Sequence, residues 1–144
     1  MSEKISPNKH LLLIWKNKTL AVPVNRVLEI MPCPRIFALP VLDHRISGLV
    51  QSGTSVVPVL RFDGDIAWNP KILILFRLES EIVALPADDV IRVESVDEKR
   101  MPDFLNSNVG SISSRWPGLL SGISSIDKKT ILVLNPDAIM PESA

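Results

Sequence analysis

The chain has 144 residues, in which 16 Lys plus Arg balance 16 Asp plus Glu, and a single cysteine. A formal charge of zero gives no basic surplus to displace counterions from a phosphate backbone, and 5% aromatic content without tyrosine leaves little for base stacking, so nucleic-acid binding is not expected. One cysteine excludes a disulfide framework, and 46% hydrophobic residues with positive mean hydropathy exclude disorder.

A chain of this length can bury roughly 70% of its unfolded surface, enough for a core without metal or disulfides. Twelve prolines and six glycines point to many turns and few long helices. Met1 to His10 is polar and is expected to fray, and the apolar runs Leu11 to Trp15 and Ile72 to Phe76 are short. A signal peptide needs roughly 7–15 apolar residues and a membrane helix about 20, so a cytoplasmic protein is expected.

Leu11 to Trp15 reads as a strand buried on both faces, turned by Lys16-Asn17-Lys18 and returned by Thr19 to Val22, with Pro23 as its stop. Val24, Val27 and Leu28 then carry one-turn helical spacing. The next stretch extends as Val27 to Met31, where a period of two predicts Leu28 and Ile30 inward and Val27, Glu29 and Met31 together on the outer face. Cys33, between Pro32 and Pro34, reads as a packing residue.

Gly48 to Phe62 is the pivot of the chain. Gly48-Leu49-Val50 enters, Gln51-Ser52-Gly53-Thr54 reverses, and Val56 to Leu60 leaves as a β-branched run. Pro58 has no amide hydrogen, which predicts an edge or bulge for the second strand. Asp63-Gly64-Asp65 reads as a solvated turn, since further oxygen ligands for calcium are missing.

The same grammar recurs after residue 70. Ala21-Val22-Pro23 overlays Ala84-Leu85-Pro86, and Val27 to Ile30 overlays Val90 to Val93, at one constant offset. Gly48 to Leu60 is echoed by Gly122-Ile123, a turn at Asp127-Lys128-Lys129, and Thr130 to Leu134. Two copies of hairpin, short turn, strand, loop and hairpin predict an all-β chain of two five-stranded barrels. The expected boundaries are a flexible 1–9, a domain 10–139 divided into subdomains 10–66 and 67–139, and a tail 140–144. Residues 101–116 read as a long irregular loop. Asn135 to Ile139 reads as a short helix that Pro141 halts.

Chemistry is hard to assemble from this inventory. His10 and His44 are the only histidines, Asp43-His44 adjacent in sequence is no triad, and one cysteine with two distant histidines falls short of a zinc site. No serine elbow or phosphate loop is present. Neither enzyme activity, a cofactor nor a bound metal is expected; a small-ligand or enzymatic small-barrel domain stands as the alternative of a different class.

The duplication and the pivot hairpin together resemble the CheW-like family, the adaptors of bacterial chemosensory arrays. The hallmarks are Ala21-Val22-Pro23-Val24, Val27-Leu28-Glu29-Ile30, Leu39-Pro40, Gly48-Leu49-Val50 and Val56-Val57-Pro58-Val59, in order and at family spacing over about residues 10 to 139. The resemblance implies two SH3-like five-stranded barrels without catalytic activity. It also implies two partners: the regulatory domain of a CheA-type histidine kinase and the cytoplasmic tips of chemoreceptors. It implies recruitment to membrane-associated arrays through those partners.

Val27 and Glu29 fall where the family contacts receptors. The protein-binding residues expected are Val27, Glu29, Met31, Gln51, Ser52, Gly53, Thr54 and Arg61. The chain departs from the family at the tip, where Gln51-Ser52-Gly53-Thr54 replaces Asn-Leu-Arg-Gly and Gly53 removes a guanidinium. Arg61 replaces an aspartate and Asp43 a proline. These departures point to a divergent array, such as one controlling pilus-based motility, or to a component that meets kinase or adaptor rings without touching a receptor.

Overall fold

The computed structural model describes residues 9–38, 45–63, 69–100 and 119–139. The readings placed on Leu39-Pro40, Asp43-His44, Gly64-Asp65, residues 101–116 and Pro141 lie outside them. Among the described residues eleven strands follow one another: β1 Lys9–Trp15, β2 Lys18–Pro23, β3 Val27–Pro32, β4 Ile46–Ser52, β5 Ser55–Leu60, β6 Ile72–Arg77, β7 Ile82–Ala87, β8 Asp89–Ser95, β9 Lys99–Arg100, β10 Leu120–Ile126 and β11 Lys129–Leu134. The helical segments among the described residues are 3-10 turns at Val24–Arg26 and Pro136–Ala138. The all-β expectation holds.

The strands make a six-stranded sheet, β8-β1-β2-β11-β10-β9, and a five-stranded sheet, β3-β6-β7-β5-β4. Neither sheet is confined to one side of residues 66 and 67. Each sheet takes its central hairpin from one half of the chain and its remaining strands from the other. The Val24–Arg26 turn leads the chain from the first sheet into β3, and Asp88 leads it back from β7 into β8.

Alternation explains the exchange. Along β1 and β2, Leu11, Leu13, Leu20 and Val22 point into a core that also holds Ile74, Phe76, Val83 and Leu85 of β6 and β7. The opposite face of the same strands, Leu12 and Ala21, packs with Ile131, Val133 and Val96. In the other sheet Leu73, Leu75 and Ala84 pack with Val50, Val57 and Val59, and Met31 of the far edge leans on that cluster. Each central hairpin is apolar on both faces and therefore needs cover on both, one from its own curled sheet and one from the other hairpin.

The curl is closed by short crossing segments. Phe37 exchanges both backbone hydrogen bonds with Leu49 of β4, at 2.8 and 2.9 Å, and β9 pairs with Gly122 and Ile123 of β10. Both crossings run over a glycine. A Cβ on Gly48 would lie 2.6 Å from the Phe37 carbonyl oxygen, and one on Gly122 would overlap the Lys99 carbonyl oxygen. Each glycine also marks a register shift, between Ile46 and Gly48 and between Leu120 and Gly122.

Three local expectations are corrected. His10 is not frayed: at 6% exposure it is buried in β1, opposite Pro23 and Glu94. Asp63 is not a solvated turn residue but takes an ion pair from Lys16 Nζ at 2.7 Å. Pro58 does not lie at an edge, because β5 runs between β7 and β4. Its cross-strand partner Leu49 gives both backbone groups to Phe37, so the Leu49–Pro58 pair requires no N–H from position 58.

A polar and aromatic seam joins the sheets beside the shared core. The Lys16 amide donates to the Asp88 carboxylate at 2.8 Å, while the Asp88 amide donates to the Ile14 carbonyl at 2.7 Å. The Trp15 ring meets Phe62 edge-on at 5.6 Å. Lys16 thus ties the β1–β2 turn to the exit of β5 and to the β7–β8 crossover.

Candidate protein-docking surface

The β4–β5 hairpin ends in a two-residue turn, Gly53-Thr54, with Ser52 opposite Ser55. Gly53 has φ of 60° and Thr54 does not enter the positive region, the pattern of a type II′ turn, which takes glycine first. Gln51 Nε2 reaches the Gly53 carbonyl at 3.3 Å and braces the tip. Gln51, Gly53 and Thr54 are exposed, and Val56 beside them is 61% exposed. The tip is a small polar knob with an apolar shoulder.

β3 forms the opposite edge of the same sheet. Here the face assignment is overturned. Leu28 and Ile30, expected inward, are 49% and 45% exposed. Val27 and Met31, expected outward with Glu29, are half-buried, Val27 against the shared core and Met31 against the cluster under its own sheet. The cause is a bulge: Val27 opposes Phe76 and Glu29 opposes Leu75, which leaves Leu28 as an extra residue. One extra residue changes the parity of everything after it. Glu29 is exposed, as expected.

The expected binding residues therefore fall into three places. Gln51, Ser52, Gly53 and Thr54 share the tip. Val27, Glu29 and Met31 belong to the far edge of the curled sheet. Arg61 follows β5 at the end away from the tip, roughly 20 Å along the strand direction. Its amide donates to the Arg45 carbonyl at 2.7 Å, and it borders a cleft of about 150 Å³ with Trp15, Ser47, Phe62 and Asp63.

Sequence reasoning missed most of the exposed apolar residues: Leu28, Ile30, Phe37 at 51%, and Ile91 and Val93 on β8. The Arg35 guanidinium lies over the Phe37 ring, 5.0 Å from its centroid. The signal was present in the duplication. β8 repeats β3 down to the bulge, since Leu12 opposes Arg92 and Leu13 opposes Val90, with Ile91 extra.

Among the described residues no group of three His, Cys, Asp or Glu side chains is placed to hold a metal ion. Burial pushes the Cys33 thiol pKa up, and its Sγ lies 3.2 Å from the Pro34 carbonyl oxygen. A protonated thiol is a poor nucleophile. No helix among the described residues is long and apolar enough to cross a membrane.

Paired curled sheets whose distinctive exposed features are strand edges and a braced hairpin tip define a β-rich docking module. A family model for the CheW-like domain matches residues 9–144, and the chain belongs to that family. In three dimensions it is similar to the scaffolding protein TtCheW from Thermoanaerobacter tengcongensis, with a TM-score of 0.72, 19% identity and 90% of each chain covered. That likeness shows the shared fold. Among curated protein sequences none matches.

Proposed function

We propose that the chain is a noncatalytic, cytoplasmic adaptor that couples a CheA-type histidine kinase, through its regulatory domain, to chemoreceptor tips in a chemosensory array. The observation that carries this reading is the open β3 edge, where exposed Glu29 is flanked by exposed Leu28 and Ile30, in a chain of the CheW-like family. An edge strand with unpaired backbone groups and outward apolar side chains is suited to another protein. Calorimetric titration with the cognate kinase regulatory domain is expected to give micromolar or tighter binding. No heat or complex at about 100 μM protein, far above a micromolar Kd, would overturn the reading.

Glu29→Lys is expected to weaken partner binding while leaving Tm within about 1–2 °C, because an exposed charge contributes little to stability. A second reading, an array component that meets kinase or adaptor rings without receptor contact, is favoured by the tip. Gly53 holds a positive φ and supplies no cation where the family has arginine. Binding of the kinase domain with no binding of a receptor-tip fragment would select it.

A further inference from the structure

The cleft beside Arg61 lies where the two sheets meet. Trp15, at the end of β1, lines it from the six-stranded sheet, and Ser47 of β4, Pro86 of β7 and the exit of β5 line it from the five-stranded one. Its deepest walls are apolar and held in place, since Trp15 and Phe62 are both buried with their rings edge to face at 5.6 Å. The space is about 150 Å³. A dry cavity of about that volume accommodates one benzene ring.

Charge gives the cleft a sign. Lys16 Nζ meets the Asp63 carboxylate at 2.7 Å, with the two side chains only 21% and 14% exposed, so that wall is neutral as a pair. Among the described lining residues the remaining charge is the Arg61 guanidinium, and Asn69 adds an amide at the rim. We propose that the cleft binds a small aromatic carboxylate, its ring against Trp15 and Phe62 and its carboxylate on Arg61. A guanidinium matches a carboxylate fork to fork, and a ring entering the cleft releases water from the apolar walls.

Other ligand classes fit less well. An amine would meet Arg61 as a like charge, while the carboxylate that could receive it is already engaged by Lys16. An inorganic dianion would leave the aromatic walls wet and bring its second charge toward Asp63. A nucleotide, with base, sugar and phosphate, is too large for about 150 Å³. The site uses neither the β3 edge nor the hairpin tip on which the adaptor reading rests. Because both sheets supply its walls, a bound ligand braces the seam between them and stabilises the folded chain.

Amide NMR titration of the full chain with benzoate at constant ionic strength tests this, with acetate and benzyl alcohol run in parallel. Benzoate is expected to bind saturably with a Kd of about 1 mM or tighter, a modest affinity for so small a ligand. The shifts should centre on Trp15 and on Leu60 to Asp63. Acetate has the charge without the ring and benzyl alcohol the ring without the charge, and each should bind about tenfold more weakly or worse. Arg61→Gln is expected to weaken benzoate binding about tenfold or more, through loss of the charged hydrogen bonds. Ala38 is an exposed residue of the rim, and Ala38→Phe should close the mouth and abolish binding with Arg61 intact. Melting confirms that each variant is folded, and saturating benzoate should raise the wild-type Tm by about 2–5 °C. The proposal is overturned by the absence of saturable shifts up to about 20 mM benzoate, well above a millimolar Kd, by acetate binding as tightly as benzoate, or by unchanged benzoate affinity in either folded variant. The kinase titration reads a different surface, so either result stands without the other.

Discussion

Pro58 in β5 and Leu132 in β11 occupy equivalent places in two hairpins, and the ladders beside them differ. β11 runs parallel to β2 through three bridges, Ile131–Thr19, Leu132–Leu20 and Val133–Ala21. β5 runs parallel to β7 through one, Val59–Ala84. That bridge is the counterpart of Val133–Ala21, so the join between copies is kept and only the part around proline is lost. A residue without an N–H trims a ladder without unseating the strand. The turns differ in the opposite sense. Gly53 takes the positive φ at one tip, whereas at the other Asp127 and Lys128 hold φ of 53° and 67° with full side chains. The first sheet has the fuller ladder and the strained turn; the second has the reduced ladder and the relaxed turn.

What the halves share most strictly is the glycine under each crossing segment, and breaking it should have the largest effect. Gly48→Ala and Gly122→Ala each drive a methyl group into a backbone carbonyl, of Phe37 and Lys99 respectively. Each is expected to lose about 1–3 kcal/mol of stability, as overpacked sites do. Chemical denaturation measures it. Side chains crowd both sites, Ile36 at 2.7 Å and Glu98 at 2.6 Å, and Gly122 should be the worse one because the backbone carbonyl there lies closer. If either substitution is neutral, the crossings are not the closures inferred here.

These glycines mark how far the sequence was legible. The β1–β2 and β6–β7 hairpins, the pivot and its echo could be read because apolar runs and turn residues act locally. The exchange of hairpins between sheets could not, since Leu11 and Leu12 look alike in sequence and only packing decides which core each enters. The β3 face was misread because a bulge is a pairing property, invisible along one strand until its repeat β8 is laid beside it. The reading of faces suffered accordingly: Glu29 is exposed as expected, whereas Val27 and Met31 were given the wrong face. Asp63 was misread as solvated because its partner Lys16 is remote in sequence.

Exchanging turn chemistry between the tips sharpens the comparison. Lys128→Gly is expected to stabilise the chain by about 0.5–1 kcal/mol, since a left-handed backbone costs an L side chain about 1–2 kcal/mol and glycine returns part of that as entropy. Gly53→Arg should cost about 1 kcal/mol by the same reasoning, although a Cβ there meets nothing within 4 Å. Thermal melts of the two variants should move in opposite directions. Gly53→Arg is also expected to strengthen association with conventional receptor tips through its guanidinium. Its affinity must be compared at a temperature where both forms are folded.

The finest contrast lies just after the two edge strands, where Cys33 follows β3 and Val96 follows β8. Val96 is 1% exposed inside its cluster, and Cys33 packs partly buried against the equivalent cluster. Burial raises the thiol pKa, so the folded chain keeps its proton at a pH where the unfolded chain, near 8.5, has begun to lose it. The folded state then binds more protons, and the sign of the linkage makes stability fall as pH rises through and above that value. Below it the contribution is fully present. Cys33→Val copies the other half and removes the titration. Denaturant midpoints for wild type and variant should agree within about 1 kcal/mol at pH 7 and diverge in favour of the variant at alkaline pH. Parallel curves across the alkaline range would mean that the thiol is as well solvated in the folded chain as in the unfolded one.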